Sequence, residues 1–430
     1  MALFLRTTNA AIARSPSGTG AYRRVFPIRR TIFFPFAAPL SKLASPSPSP
    51  RNSESLQSVY KQPLSLARCA CVNVTMMHSW GRVVIVSIIS FPCVCSAQTG
   101  FLPANSLLGS LQSITASTSP PSGDMNPYGV AFVPSLFPSG GTIGAGDILV
   151  SNFNNSDNVQ GTGATIVSIS PTGQQSVFAT STSIGLDTAL GVLSAGFVIV
   201  GNLPVNAGTI GAGSLQMFDR NGNLVLTLTD ANLLDSPWDL TISDQGSQAQ
   251  IFVSNVVSTN ITRLDVSIVN GQITLNAKTL IASGYSWVPN AQVVAVGPTG
   301  LAYDQVRDVL YVASTLDNEI FAVNQAGSLT HSAGKGVVVF NDQANLHGPL
   351  GLVLAPNGHL ICANGDAVNA GATPNELLEF TPQGVLVATY QLDGGNPGAA
   401  FGIASITSQR TLRFAAVNDN LNTVTIWTLQ

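Results

Sequence analysis

The sequence predicts an all-β fold, a six-bladed β-propeller closed by an N-terminal strand in the last blade. Three observations carry that prediction. A Gly-centred strand motif recurs six times; each copy is followed by an apolar strand that closes on a small residue and usually Asn; and the sixth copy lacks a fourth strand. A repeat of roughly 40–60 residues in a strand-rich chain is the signature of propeller blades. Composition agrees, because the chain after residue 97 is rich in Gly, Asn, Ser, Thr and Val and poor in Lys, Glu and Arg, which suits strands and turns better than amphipathic helices.

The first motif reads Pro127-Tyr128-Gly129-Val130, Ala189-Leu190-Gly191-Val192, Pro237-Trp238-Asp239-Leu240, Pro298-Thr299-Gly300-Leu301, Pro349-Leu350-Gly351-Leu352 and Phe401-Gly402-Ile403. Its Gly position, Asp239 in the third copy, recurs at spacings of 62, 48, 61, 51 and 51 residues. The second element ends at Asn152, Asn202, Asn255, Ser314, Asn364 and Asn418. Its runs are continuously apolar, as strands packed between two neighbouring sheets must be. A Gly-containing hairpin then follows in five copies, at Gly173, Gly222, Gly271, Gly327 and Gly384, where tight turns use positive φ. The sixth copy stops at Thr423–Leu429, so a ring of four-stranded blades must take its last strand from elsewhere. The unassigned segment Asn105–Thr118 is expected to supply it, joining the chain ends and removing an exposed sheet edge.

The net charge of −3 averages two unlike stretches. Residues 1–97 carry eleven Arg and Lys against the single acid Glu54, a net +10, and residues 98–430 carry seven bases against twenty acids, a net −13. The acidic part lacks the basic patch that phosphate neutralisation requires, so it is a poor candidate for nucleic acid or anionic membrane surfaces, and neither is expected as a partner. Met76–Ala97 has the parts of a secretory signal: an n-region ending at Arg82, an apolar core over Val83–Val94, and small residues before Gln98. That core falls short of the about 20 residues a bilayer span needs. The expected mature protein therefore spans residues 98–430, is secreted to an extracellular or periplasmic space, has no membrane span, and is a monomer. Residues 1–75 are either a misassigned upstream extension, with Met76 or Met77 the start, or an organelle-targeting leader; the Ser-Pro repeats of Ser45–Arg51 read as disordered. Four of the five cysteines lie before residue 98, leaving Cys362 alone and reading as a buried strand thiol.

The Pro-x-Gly strand, with Tyr311-Val312-Ala313-Ser314-Thr315-Leu316-Asp317-Asn318-Glu319-Ile320 in the fourth copy, resembles the NHL-repeat propellers, and more loosely the gluconolactonase-like (calcium-dependent phosphotriesterase-like) six-bladed propellers. The resemblance covers roughly residues 105–430 and speaks to fold more than to activity. It implies a divalent metal at one channel mouth, held by carboxylate and Asn. The Asn-Gly and Asp-Gly steps those propellers place before the inner strand are replaced here by Thr299-Gly300 and Leu350-Gly351, so no catalytic residue is carried over.

In a propeller, the loop entering each innermost strand and the loop leaving the second strand share one face of the ring. The entries contribute Asp124, Asn126, Asp187, Asp235, Asp239 and His347, and the exits Asn152, Asn202, Asn255, Asn364 and Asn418. From these, Asn126, Asp187, Asp239, His347 and the five exit asparagines are the candidate ligand-binding residues. A ring of such oxygens suits calcium, which takes six to eight oxygen ligands. Asn also simply ends strands well, through left-handed backbone and Asx turns, so both readings stand. Asp239 departs from its own repeat. The three histidines after residue 97, His331, His347 and His359, lack zinc-ligand spacing. Long Gly/Asn exit loops follow Asn152, Asn202 and Asn364, with Val205-Asn206-Ala207-Gly208 recurring as Val368-Asn369-Ala370-Gly371, and recognition loops of a propeller have this character. Gly-Thr-Ile-Gly-Ala-Gly occurs twice, at residues 141–146 before a second strand and 208–213 before a third. Asn154-Asn155-Ser156 and Asn260-Ile261-Thr262 are sequons.

These features point to a ligand-binding or protein-interaction platform for a small molecule, glycan or protein. The alternative is a metal-assisted hydrolase or lyase of lactone- or sugar-like substrates at the channel mouth. A third reading is a structural element of an envelope or matrix assembly.

Overall fold

The computed structural model describes Leu107 and residues 112–206, 208–290, 294–365, 376–393, 398–408 and 411–429. The leader, the signal segment and the repeated Val368–Gly371 loop lie outside the described residues. No helix long and apolar enough to cross a membrane occurs among those described.

Six antiparallel four-stranded sheets form the blades. Their innermost strands are Met125–Phe132, Leu186–Leu193, Pro237–Asp244, Pro298–Asp304, Pro349–Leu354 and Ala400–Ser408, in blades 1 to 6. Each innermost strand touches the next, and that of blade 6 touches that of blade 1, so the ring is closed. Burial explains the sequence pattern. Ile148–Asn154 and Phe197–Asn202, second strands, are buried along their whole length because neighbouring sheets cover both faces, whereas the outer strand Leu386–Tyr390 alternates half-buried and exposed.

The last blade is completed by Gln112–Ser117, paired antiparallel with Thr423–Leu429 in a register running from Gln112 opposite Thr428 to Ser117 opposite Thr423. Thr118 N–H donates to Asn422 O at 2.9 Å and Asn126 N–H to Asn422 Oδ1 at 2.7 Å, tying the start of blade 1 to the last turn of the chain.

One repeat alignment shifts. In blades 1, 3, 4, 5 and 6, pairing places Val130, Leu240, Leu301, Leu352 and Ile403 opposite the residue two before the strand-ending Asn or Ser. In blade 2 the residue so placed is Leu190, opposite Val200. The counterpart of Asp239 is therefore Ala189 and not Gly191. A longer bulge between Leu186 and Leu190 absorbs the difference, which sequence spacing alone does not reveal.

Small residues are required at this ring because adjacent inner strands meet backbone to backbone. A Cβ on Gly300 would lie 2.0 Å from Leu350 O, one on Gly351 2.4 Å from Phe401 O, and one on Gly402 2.0 Å from Tyr128 O. Two short hairpins, Val205–Asn206 with Thr209–Ile210 and Val288–Asn290 with Val294–Val296, stand outside the blades. Val205, Ala295 and Val296 are buried in the same cluster as Tyr128, Trp238, Leu350 and Phe401, so apolar burial holds these hairpins against the axial end of the ring.

Candidate functional site

The strand-ending asparagines lie level with the entries to the inner strands: Asn152 pairs with Pro127, Asn202 with Leu186, Asn255 with Pro237, Asn364 with Pro349 and Asn418 with Ala400. Their side chains turn into the blades. Asn152 Nδ2 donates to Thr118 O at 3.0 Å, Asn255 Nδ2 to Leu233 O at 3.0 Å, Asn364 Nδ2 to Asn345 O at 2.8 Å, and Asn202 Nδ2 to Ile184 O. Each amide pins the loop that delivers the chain to the innermost strand of its own blade. Asn418 Nδ2 instead reaches Asp393 Oδ2 at 3.2 Å.

The remaining candidates are dispersed. Asn126 is half-buried with left-handed backbone (φ 62°), His347 is buried with its N–H on Asn364 Oδ1, and Asp187 lies in the blade 2 bulge with its side chain outside the described atoms. Asp124 accepts from Ala164 N, and Asp235 from the hydroxyls of Ser236 and Ser258.

At the centre of this face stands an aromatic plug. The residues just before the small ring position, Tyr128, Trp238, Leu350 and Phe401, converge on the axis and are 2% exposed or less. Tyr128 stacks on Phe401 at 4.2 Å and on Phe153 at 4.5 Å, with Trp238 tilted at 6.1 Å. Their size was legible in the repeats; their convergence was not. These rings fill the centre of the mouth. Among the described residues no three of His, Cys, Asp and Glu are placed to hold a metal, while the Oδ1 atoms of Asn152 and Asn255 are buried oxygens that accept no hydrogen bond.

On the other side of the plug the axis is open. A channel of about 330 Å³ is lined by all six innermost strands, from Asp239, Leu301 and Gly402 at its inner end to Pro134, Leu354 and Ile406 at the opposite, turn-bearing face. Its inner wall is buried and its outer residues are half-buried, so it is blind at the plug and opens at the turns. Asp239 is the one charged side chain lining it.

The Asp239 carboxylate accepts Leu240 N–H on Oδ1 at 2.7 Å and the N–H of Leu301, in the next blade, on Oδ2 at 3.3 Å. Ser254 Oγ receives Asp239 N–H at 3.1 Å and donates to Thr299 O at 2.7 Å. Blades 3 and 4 are thus joined through side chains where the neighbouring junctions use backbone contact. Burial holds this carboxyl well above the usual carboxylate range, and the two N–H donors oppose the rise without cancelling it.

Two other features escaped the sequence reading. Asp419 is raised to about 7, first by burial and then by the charges of Asp393 and Glu376. The buried Glu379 ties His359 Nδ1 (2.7 Å) and Asn357 Nδ2 (2.9 Å) to the Leu107 N–H (2.8 Å). Distance in sequence hides both clusters. The sequon asparagines Asn154 and Asn260 are buried and bonded through Nδ2 to Asn158 Oδ1 and Asn232 O, so a glycan on either would break those bonds. Cys362 is fully buried, and burial pushes its thiol up, away from reactivity. Of the two hexapeptides, the first packs on blade 2, with Thr142 N–H on Arg220 O at 3.0 Å, and the second leads into the third strand of that blade.

Fold and site together define a six-bladed β-propeller with a plugged Asn-bearing face and a blind, acid-floored channel on the other. No family model matches the chain, and no curated protein matches it in sequence. Solved structures share the architecture. A gluconolactonase from Xanthomonas campestris is 14% identical with a TM-score of 0.48, the match covering 75% of this chain and 90% of that one. A virginiamycin B lyase from Staphylococcus aureus is 14% identical (TM-score 0.43, covering 74% and 100%). A calcium-binding protein, regucalcin, from Agrobacterium tumefaciens is 14% identical (TM-score 0.44, covering 73% and 92%). The likeness is one of fold.

Proposed function

We propose that this protein is a secreted propeller that binds a small molecule in its blind channel. The observation that carries the reading is Asp239. A carboxyl stands where the equivalent positions carry Gly129, Ala189, Gly300, Gly351 and Gly402, and it lies at the floor of a cavity that Thr241, Tyr303 and Ser405 also line, among apolar and small residues. Burying an acid there costs stability, and a cavity of this size with a charged group at its floor has the form of a ligand site. In its protonated form, which burial favours, the carboxyl donates a hydrogen bond to an acceptor at the inner end of the ligand.

The test is equilibrium binding of 1-decanol to the wild type and to Ala404→Trp, which fills the channel, with circular dichroism reporting the fold. Saturable binding lost in the filled variant supports the reading; binding that survives filling removes the channel from it.

A second reading is hydrolysis or lysis of a lactone- or sugar-like substrate, and the observation favouring it is the same buried carboxyl, whose protonated form burial favours and which can then give a proton to a leaving oxygen. A panel of lactones and phenyl esters tests it: turnover abolished by Asp239→Asn supports catalysis, and no turnover, or turnover untouched by that change, ends it. Secretion is tested by N-terminal sequencing of the exported protein, with Gln98 the expected first residue.

A further inference from the structure

We propose that the free edge of blade 2 takes an extended peptide as a fifth strand, antiparallel to Leu224–Leu228, with a basic residue at the peptide's N-terminal end and an acidic residue at its C-terminal end. This surface is separate from the channel and does not rest on it.

Leu224–Leu228 is the outermost strand of its sheet, paired on one side with Ser214–Asp219 and with no strand of the sheet on the other. Such an edge directs N–H and C=O groups outward, and the charges and Pro that commonly block added pairing are absent from Leu224 to Thr229. Leu224 and Val225 are exposed. One face of the strand is also incompletely covered: Leu226 and Leu228 share an apolar cluster with Ile273 and Leu275 of the outermost strand of blade 3, and all four are only half-buried. Apolar side chains at alternate positions of an added strand extend that cluster.

Two grooves meet this strand at its two ends. One, of about 590 Å³, is lined by Val225 and Leu226 with Arg220, in the turn that precedes the strand. The other, of about 1170 Å³, is lined by Thr227 and Thr229 with Asn202, Asp235 and Ile210–Gly213, which brings in the second hexapeptide. Their available charges are opposite. Arg220 donates Nη1 to Ser139 O at 2.9 Å, and its other guanidinium nitrogens have no partner among the described residues. The neighbouring Asp219 is taken up by its own turn, accepting Asn221 and Asn223 N–H and Asn223 Nδ2. In the second groove Asp235 accepts the Ser236 and Ser258 hydroxyls on Oδ1, leaving Oδ2 without a partner among the described residues, while Asp230 is tied to Lys278. A strand running antiparallel, as every pair in the blade does, starts beside Asp235 and ends beside Arg220. It therefore needs a cation first and an anion last. Seven residues, at about 3.4 Å each, match the stretch from Asp230 back to Leu224.

Calorimetric titration with the acetylated, amidated heptapeptide Lys-Thr-Val-Thr-Val-Thr-Glu tests the proposal. Wild type is expected to bind it about fivefold more tightly than the same peptide with Gln at both ends, as two exposed ion pairs allow. That preference should shrink in Asp235→Asn, in Arg220→Gln and with added salt, with circular dichroism reporting the fold. The order-reversed Glu-Thr-Val-Thr-Val-Thr-Lys meets both charges only as a parallel strand and should bind more weakly than the first. Because strand addition uses alternate peptide amides, N-methylation of one alternate set should abolish binding and that of the other should spare it. Ala404→Trp, which fills the channel, should change none of this. Absence of saturable binding, equal affinity for the charged and Gln-ended peptides, reversed-order binding as tight as the first, tolerance of both methylated sets, or loss of binding in Ala404→Trp would each overturn the proposal. So would a wild-type dimer broken by Val225→Lys, which gives the edge to a second copy of the chain.

Discussion

Asp239 and Asp419 are buried acids with raised folded-state titration, and the sign of their effect on stability is the same. Such a group contributes stability below its unfolded value of about 4 and loses that contribution as pH rises through its folded value. For Asp419 the window runs from about 4 to about 7, and the amount at stake is on the order of a few kcal/mol. Urea unfolding at pH 4.5 and pH 8 should therefore show the wild type losing stability with rising pH, and Asp419→Asn losing less. Equal pH slopes would show that this carboxyl is ionised throughout. Asp239→Asn should flatten the profile further while keeping an acceptor for Leu240 N–H. The asparagines make a different prediction: Asn255→Ala removes bonds to Leu233 O and Asn260 Oδ1 and should cost about 1–3 kcal/mol in urea unfolding without touching channel binding. A channel-binding loss of tenfold in that variant would return the Asn face to consideration as a site.

Blades were legible because each element has a period that burial imposes. Uninterrupted apolar runs marked the second strands, Gly-bearing turns marked the hairpins, and the missing hairpin after Thr423–Leu429 required a strand from the N-terminal segment. What spacing could not see was the bulge in blade 2, since an inserted residue changes register without changing residue type; Gly191 therefore passed for the ring position that Ala189 fills. The ring position is itself testable. Gly402→Ala places a Cβ 2.0 Å from Tyr128 O at the blade 6 to blade 1 junction and should cost at least about 2 kcal/mol, whereas Gly144→Ala, whose Cβ would meet nothing nearer than 3.9 Å, should be nearly neutral. Similar denaturant midpoints for the two variants would mean that the inner strands separate easily.

Closure of the whole ring rests on one strand pair drawn from opposite ends of the described chain. Thr115 and Thr425 are register partners with their hydroxyls 3.1 Å apart, which brings the two side chains within reach of a disulfide. The double variant Thr115→Cys, Thr425→Cys, once oxidised, should be stabilised by about 2–4 kcal/mol against its reduced form, because the bridge closes a very long loop in the unfolded chain. An oxidised protein that unfolds at the same denaturant concentration would mean that this seam stays paired after the rest has opened. Removing residues before Thr118 should expose the edge of Thr423–Leu429 and cost the protein its single cooperative transition, read by calorimetry.

By itself the sequence determined the class of fold, the number of blades and the way the ring closes, because burial on two faces and turn chemistry write periodic marks along the chain. It also singled out Asp239, since a break in a repeat is visible in one dimension. Tertiary structure alone decided what the two faces are. The Nδ2 groups of Asn152, Asn255 and Asn364 hold the loops that enter their blades, and Tyr128, Trp238 and Phe401, more than a hundred residues apart, pack into one plug. Side-chain direction and axial convergence arise from how six sheets twist and pack around a common axis, and no local run of residues carries that information.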